Sequence, residues 1–156
     1  EAADIALRLV SKRSCLGSAA IHDESIVLAG YSDEGETAKD RCPDVKEMKI
    51  RSYSLAEMRQ IGMENAARQA VNNLESVADC FWIHLDVDVI SCDLMPAVNY
   101  VMEGGFTYEE LHQMLRTALS SPKAFGMDLT IYNPLLDKNY FAGARLVENI
   151  GKAIKR

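Results

Sequence analysis

A three-layer α/β/α domain built on a mainly parallel sheet is the fold class this sequence predicts, and three observations carry that expectation. Short apolar, β-branched runs alternate with segments of helical periodicity. Two Ser/Thr-x-x-Glu boxes mark helix starts, and the run Phe81 to Val89 is apolar enough to lie inside a sheet. Strands alternating with helices form a parallel sheet, covered on both faces and joined by right-handed crossovers. A chain of 156 residues suits one such domain with a single core, with no repeats or linkers visible.

Each element has its own local signal. EAADIALRLVSKR sets Ile5, Leu9 and Val10 at helical spacing and ends in a basic turn, which suits a helix C-terminus. SIVLAGYS, Ser25 to Ser32, reads as a buried strand, and DEGETAKDRCP as its polar exit up to Pro43. MKIRSY, Met48 to Tyr53, alternates as a second strand. Ser54 with Glu57 forms a capping box for a short helix stopping near Gly62, and MENAARQAVNNLESV is a longer helix with Ala67, Val71 and Leu74 on one face. The third strand is expected over Cys80 to Val89. A loop with Pro96 and Gly104-Gly105 follows, and Thr107 with Glu110 caps TYEELHQMLRTALSS. KAFGMDLTI is the fourth strand, and NYFAGARLVENIGKAIKR the closing helix.

Composition narrows the function classes. With 48% hydrophobic and 26% charged residues the chain resembles an ordinary globule, and a net charge of -6 with a pI near 5.1 leaves no basic field to recruit nucleic acid. No apolar run approaches the roughly 18 residues of a membrane span, and no signal pattern opens the chain, so a cytoplasmic location is expected. Cys15, Cys42, Cys80 and Cys92 contain no C-x-x-C pair and suggest neither a zinc knuckle nor a thioredoxin motif. The start at Glu1 rather than Met reads as a processed or excised product.

The chemistry-bearing stretch is FWIHLDVDVISCDLMP. If the strand runs to Val89, His84, Asp86 and Asp88 share one face, with neighbours on that face about 6.5–7 Å apart. Two carboxylates in a dry sheet must be paired or coordinate a metal, and in parallel α/β sheets ligands bind outside the carboxyl ends of the strands. The alternative is structural: an Asp at a strand end caps a helix or meets an arginine, and a lone His is commonly just hydrogen-bonded. Oxygen ligands with occasional imidazole favour Mg or Mn over zinc or copper.

LDVDVISCDLMPAVNYVMEGGFTYEEL resembles the third metal-binding segment of the ureohydrolase family, the arginases, agmatinases and formiminoglutamases. That pattern is roughly S-x-D-x-D-x-x-D-P-x-x-A-P, then P-x-x-G-G-L-[ST]-x-x-E. Asp86, Asp88, Pro96, Gly104-Gly105 and Thr107 match it. GMDLTIYNP, Gly126 to Pro134, is similar to the family's G-L-D-I-x-E-x-N-P, and SIVLAGYSDEGE to its V-G-x-R-x-x-D-x-x-E turn. The likeness runs over most of the chain in the family's order, and it implies that residues 1–156 are a single α/β domain, an arginase-like fold apparently incomplete, corresponding to the C-terminal half of such a chain. It implies two Mn2+ ions bridged by a hydroxide that attacks a guanidino or formimino carbon. Asp86 would bridge both ions and Asp88 bind one. A small-molecule substrate and a homo-oligomer are implied with it. His84 stands in place of a serine and is expected to orient a ligand. Asp128 is either a similar supporting group or one half of an ion pair with Arg145.

The departures are equally specific. The family's G-G-D-H and D-x-H-x-D motifs are absent from the 156 residues, so the other metal ligands and the catalytic residues are not identifiable in them. Ser91-Cys92 replace Asp-Pro, and Ile131 replaces the glutamate that grips a guanidinium, which removes one charge-assisted hydrogen bond. Asn133-Pro134 shapes a turn, Glu103 is a solvated loop acid, and His112 is a surface residue of its helix. Two rival functions stand beside the hydrolase: a non-catalytic fragment or oligomerisation module with a degenerate metal site, and a haloacid-dehalogenase-like phosphatase. LDVDV matches the phosphatase nucleophile motif, with Thr130 and Lys138 as stand-ins for its later groups.

Overall fold

The computed structural model describes residues 21–32, 45–101 and 103–154. The helix expected at the N-terminus and the polar exit from the first strand lie outside these residues.

Strand β1, Val27–Tyr31, pairs in parallel with β2, Arg51–Ser54. Strand β3, Phe81–Asp86, pairs in parallel with β4, Ala124–Thr130. The parallel α/β class is therefore as expected, but the strands form two separate pairs. Among the described residues the α-helices are α1, Leu55–Ile61; α2, Met63–Val77; α3, Tyr108–Leu119; and α4, Phe141–Ile154. Both capping boxes form, Ser54 with Glu57 opening α1 and Thr107 with Glu110 opening α3. Gly62, at φ 88°, separates α1 from α2.

The third strand stops at Asp86 rather than Val89, and this corrects the expected alignment of three polar groups. Val87–Val89 form a 3₁₀ turn in which Asp86 Oδ1 accepts the Asp88 N–H at 3.5 Å. The reason is local: β4 ends at Thr130, opposite Asp86, so Val87 has no ladder partner, and the aspartate side chain offers the backbone an alternative one. The turn also drops the Val87 side chain into the core, where it is fully buried with Met58, Ile90 and Met95.

The loop after β3 thus belongs to the core. Ala97 and Val98 are buried in it, and Ile90 bridges in parallel to Phe106. Gly105, at φ 103°, lies so close to the Val89–Ser91 backbone that a Cβ there would sit 2.6 Å from Ser91 N. On the odd-numbered face of β3, Phe81 and Leu85 are buried, Leu85 in one core with Leu111, Leu115 and Leu146. Its even-numbered face, with Trp82 and His84, is exposed, so the expected cover on both faces is not seen there among the described residues. After β4 the chain passes through Ile131 at φ 58°, a conformation costly for a β-branched residue. Asp137, buried, then accepts the Ala142 and Gly143 N–H groups at 3.0 and 2.8 Å and the Tyr132 hydroxyl at 2.7 Å, fixing the start of α4.

A clamp ties α1 to the loop and α3. Arg59 donates to both Glu110 oxygens, at 2.7 and 3.0 Å, and to the Gly105 carbonyl at 3.0 Å. The Arg59 hydrogen bonds, aided by the Thr107 N–H, pull the Glu110 carboxyl down to about 2. A depressed folded-state value contributes stability above the unfolded value of about 4.3 and loses it as pH falls toward 2. Arg59 is half-exposed, so screening limits the effect. Glu110→Gln is expected to cost about 1–2 kcal/mol at pH 7. It should also flatten the acid limb between those pH values, measured by urea unfolding across pH.

Candidate functional site

The paired register of β3 and β4 builds the site. His84 lies opposite Asp128 and Asp86 opposite Thr130, so side chains two residues apart on each strand share the open face. His84 Nδ1 stands 2.9 Å from Asp128 Oδ2, and Thr130 Oγ1 3.4 Å from His84 Nε2. The Trp82 indole N–H donates to the other Asp128 oxygen. Gly126 makes this possible, because any side chain there would strike the Trp82 ring.

Asp128 does not form the ion pair with Arg145 that was one of its two expected roles. Its partners are His84 and Trp82; the Arg145 guanidinium instead lies over the Tyr108 ring, 5.2 Å from its centroid. The indole N–H, and after it the His84 hydrogen bond, holds the Asp128 carboxyl below its ordinary range. Trp82 is the chain's single tryptophan, which makes the contact observable. Its emission should change on acidification with a midpoint below the usual Asp value of about 3.9, and His84→Ala should move that midpoint upward. A fluorescence titration of the two proteins checks both statements.

Asp86 and Asp88 sit at the carboxyl end of β3, the first on the strand and the second on the 3₁₀ turn. Both are half-buried, and both line a cavity of about 880 Å³ between β1 and β3. Their hard oxygens suit Mg or Mn. The count does not close, however: among the described residues no three His, Cys, Asp or Glu side chains stand together as a metal site. The two carboxylates do not by themselves fit a manganese pair.

Other expected positions are ordinary. Glu103 is an exposed loop acid at the cavity rim, His112 is half-buried on α3, and Asn133 accepts the Leu135 and Leu136 N–H groups in a turn. Trp82 was not foreseen as a site residue, and Thr130 was named only as a stand-in within the phosphatase alternative. Each lies two positions from a foreseen one on its own strand, but only the pairing register brings the two strands' residues together.

A family model, Arginase family, matches residues 10–151, and the chain belongs to that family. This removes the phosphatase alternative. The arginase of Plasmodium berghei (strain Anka) is 26% identical over 117 residues, covering 74% of this chain and 32% of that protein. The arginase of Bacillus caldovelox is 27% identical over 120 residues, covering 76% of this chain and 38% of that one. Its crystal structure superposes with a TM-score of 0.77 at 24% identity, over 97% of this chain and 48% of that chain. The formimidoylglutamase of Bacillus subtilis gives a TM-score of 0.75 at 16% identity, over 95% and 44%. The fold is the arginase fold, incomplete, and the chain spans less than half the length of these relatives. No helix among the described residues is long and apolar enough to cross a membrane.

Proposed function

We propose that the chain is part of a ureohydrolase, contributing Asp86 and Asp88 as metal ligands to a binuclear manganese centre whose remaining ligands come from outside these 156 residues. The observation that carries this is the placement of the two carboxylates at the carboxyl end of β3, on the wall of the cavity between the strand pairs. When bound, a manganese pair acidifies and orients a water. The chain's own part is to hold two oxygen donors: the Asp86 cap on the Asp88 N–H fixes their relative position, and the His84–Asp128 pair stiffens the strand beside them.

The substrate class is a linear C–N bond in a guanidino or formimino compound. Water adds to the amidine carbon and the bond to the alkyl amine breaks, releasing the amine with urea or formamide. Ile131, in the position that the family resemblance gives to a glutamate, supplies no carboxylate for a cationic guanidinium, which favours the formimino side of that range. A homo-oligomer belongs to the same proposal, and light scattering gives its mass.

The test is metal analysis together with urea, formamide and amine release across a panel of both compound types. The assays are run on the chain alone and on the chain mixed with the half of the Bacillus caldovelox arginase it does not resemble. Manganese-dependent release is the expected result. A chain that binds no manganese in either state and releases nothing would leave the second reading, a non-catalytic fragment, which the absence of a three-ligand cluster among the described residues favours.

A further inference from the structure

The Arg59 clamp reaches further than the two helices it joins. Arg59 Nη2 donates to the Gly105 carbonyl at 3.0 Å, and the N–H of the next residue, Phe106, donates to the Val89 carbonyl at 2.7 Å. That C=O and that N–H belong to one planar peptide unit and point in opposite directions, so the unit is gripped on both sides. Val89 closes the 3₁₀ turn that carries Asp88, with the Ile90 N–H on the Val87 carbonyl at 3.2 Å. The Ser91 N–H returns to the Phe106 carbonyl at 2.9 Å, which completes a bridge of two hydrogen bonds.

A two-bond bridge is short, and the chain leading into it has freedom to lose. Val101, Glu103 and Gly104 are exposed, and Gly104 and Gly105 both lie at positive φ, where glycine gives up the most entropy on being ordered. Arg59 counters this. Its planar guanidinium is oriented by two bonds to Glu110, whose carboxylate is itself fixed by the Thr107 N–H at 2.8 Å. The second hydrogen of Nη2 is thereby aimed at the Gly105 carbonyl. A cationic donor on that carbonyl also polarises the peptide and strengthens the N–H at its other end. The contact from Phe106 to Val89 is the shortest backbone hydrogen bond in the loops and turns of the described residues.

We propose that Arg59 is a positioning residue for Asp88. Through the Gly105–Phe106 peptide it fixes the Val89 carbonyl, and with it the turn that presents the Asp88 carboxylate beside Asp86. Glu110 then serves the site as well as stability, by orienting the guanidinium. The proposal rests on the ureohydrolase reading only for the task that the turn performs.

The test is residue-resolved amide hydrogen exchange on the full chain. Arg59→Lys keeps a positive charge beside Glu110, but its ammonium stops about one bond short of Nη2 and does not reach Gly105 in the same geometry. Exchange at Phe106 and Ser91, taken relative to the Leu115 amide inside α3, is expected to rise at least tenfold. Glu110→Gln leaves an acceptor for the guanidinium, so it should speed all three amides together. Equal acceleration of the three in Arg59→Lys, or none at Phe106, would reduce Arg59 to a fastener between helices and overturn the proposal. Should Arg59→Lys not fold, the scalar coupling across the Phe106 to Val89 hydrogen bond in the unaltered chain decides. A value above the mean of the α3 bonds supports the grip, and one at or below that mean overturns it.

In the mixture used for product release, Arg59→Lys should lower kcat about tenfold or more with KM within twofold. An unchanged kcat where the unaltered chain hydrolyses would overturn the positioning role. Selective exchange without hydrolysis by either protein keeps the positioning of the turn and removes the hydrolase reading; hydrolysis with the exchange ratio unchanged does the reverse.

Discussion

Gly105→Ala should lower the stability of the chain by about 3 kcal/mol or more, a large share of the roughly 5–15 kcal/mol that holds a domain together. Two effects add. At φ 103° the backbone is in a region where a side chain is strained, and the new methyl would lie 2.6 Å from Ser91 N, 2.7 Å from the Ile90 carbonyl carbon and 2.8 Å from Val89 O. These are backbone atoms bonded into the bridge between Ile90 and Phe106, so they cannot turn aside as a flexible side chain would. Gly104 gives the matched control. Its φ is 87°, but a Cβ there meets nothing within 4 Å, so Gly104→Ala should cost only about 1 kcal/mol. Urea unfolding of both variants separates conformational strain from collision; equal losses would refute the assignment of the clash.

Asp86→Asn should abolish manganese-dependent hydrolysis in the complemented protein, by about 100-fold or more, while changing stability little. The amide oxygen can still accept the Asp88 N–H, so the 3₁₀ turn keeps its cap, whereas the charge that a cation requires is gone. Loss of a supporting partner of a metal ligand already costs 10- to 100-fold, and removal of a ligand charge should exceed that. Asp93→Asn, an exposed acid in the loop that follows, serves as the control. Kinetics and thermal unfolding on the same samples distinguish the outcomes: a variant that unfolds early would mark Asp86 as structural.

The parts of this fold that were legible in sequence are those set by near neighbours. The Ser54–Glu57 and Thr107–Glu110 boxes each need only four consecutive residues, and both formed. The strands around Val27 and Phe81 declared themselves by apolar, β-branched runs. What could not be read depends on partners distant in the chain. Strand β3 ends at Asp86 because its neighbour ends at Thr130, forty-odd residues later, so alternation alone carried the strand too far and put Asp88 on the wrong kind of backbone. The hydrogen bonds of Asp128 to His84 and Trp82 have the same origin. The separation of the strands into two pairs was illegible for a further reason, since periodicity reports which face of a strand is apolar and says nothing of who lies beside its edge.

Ile131 gives the fold an unusual freedom at the end of β4. Because its backbone already adopts a left-handed twist that glycine or asparagine would tolerate better, a change to an unbranched side chain relieves crowding. Ile131→Glu therefore alters charge at that spot with no added conformational burden. If the proposed hydrolysis holds, any drift in preference toward guanidino compounds in that variant would then reflect the new carboxylate itself.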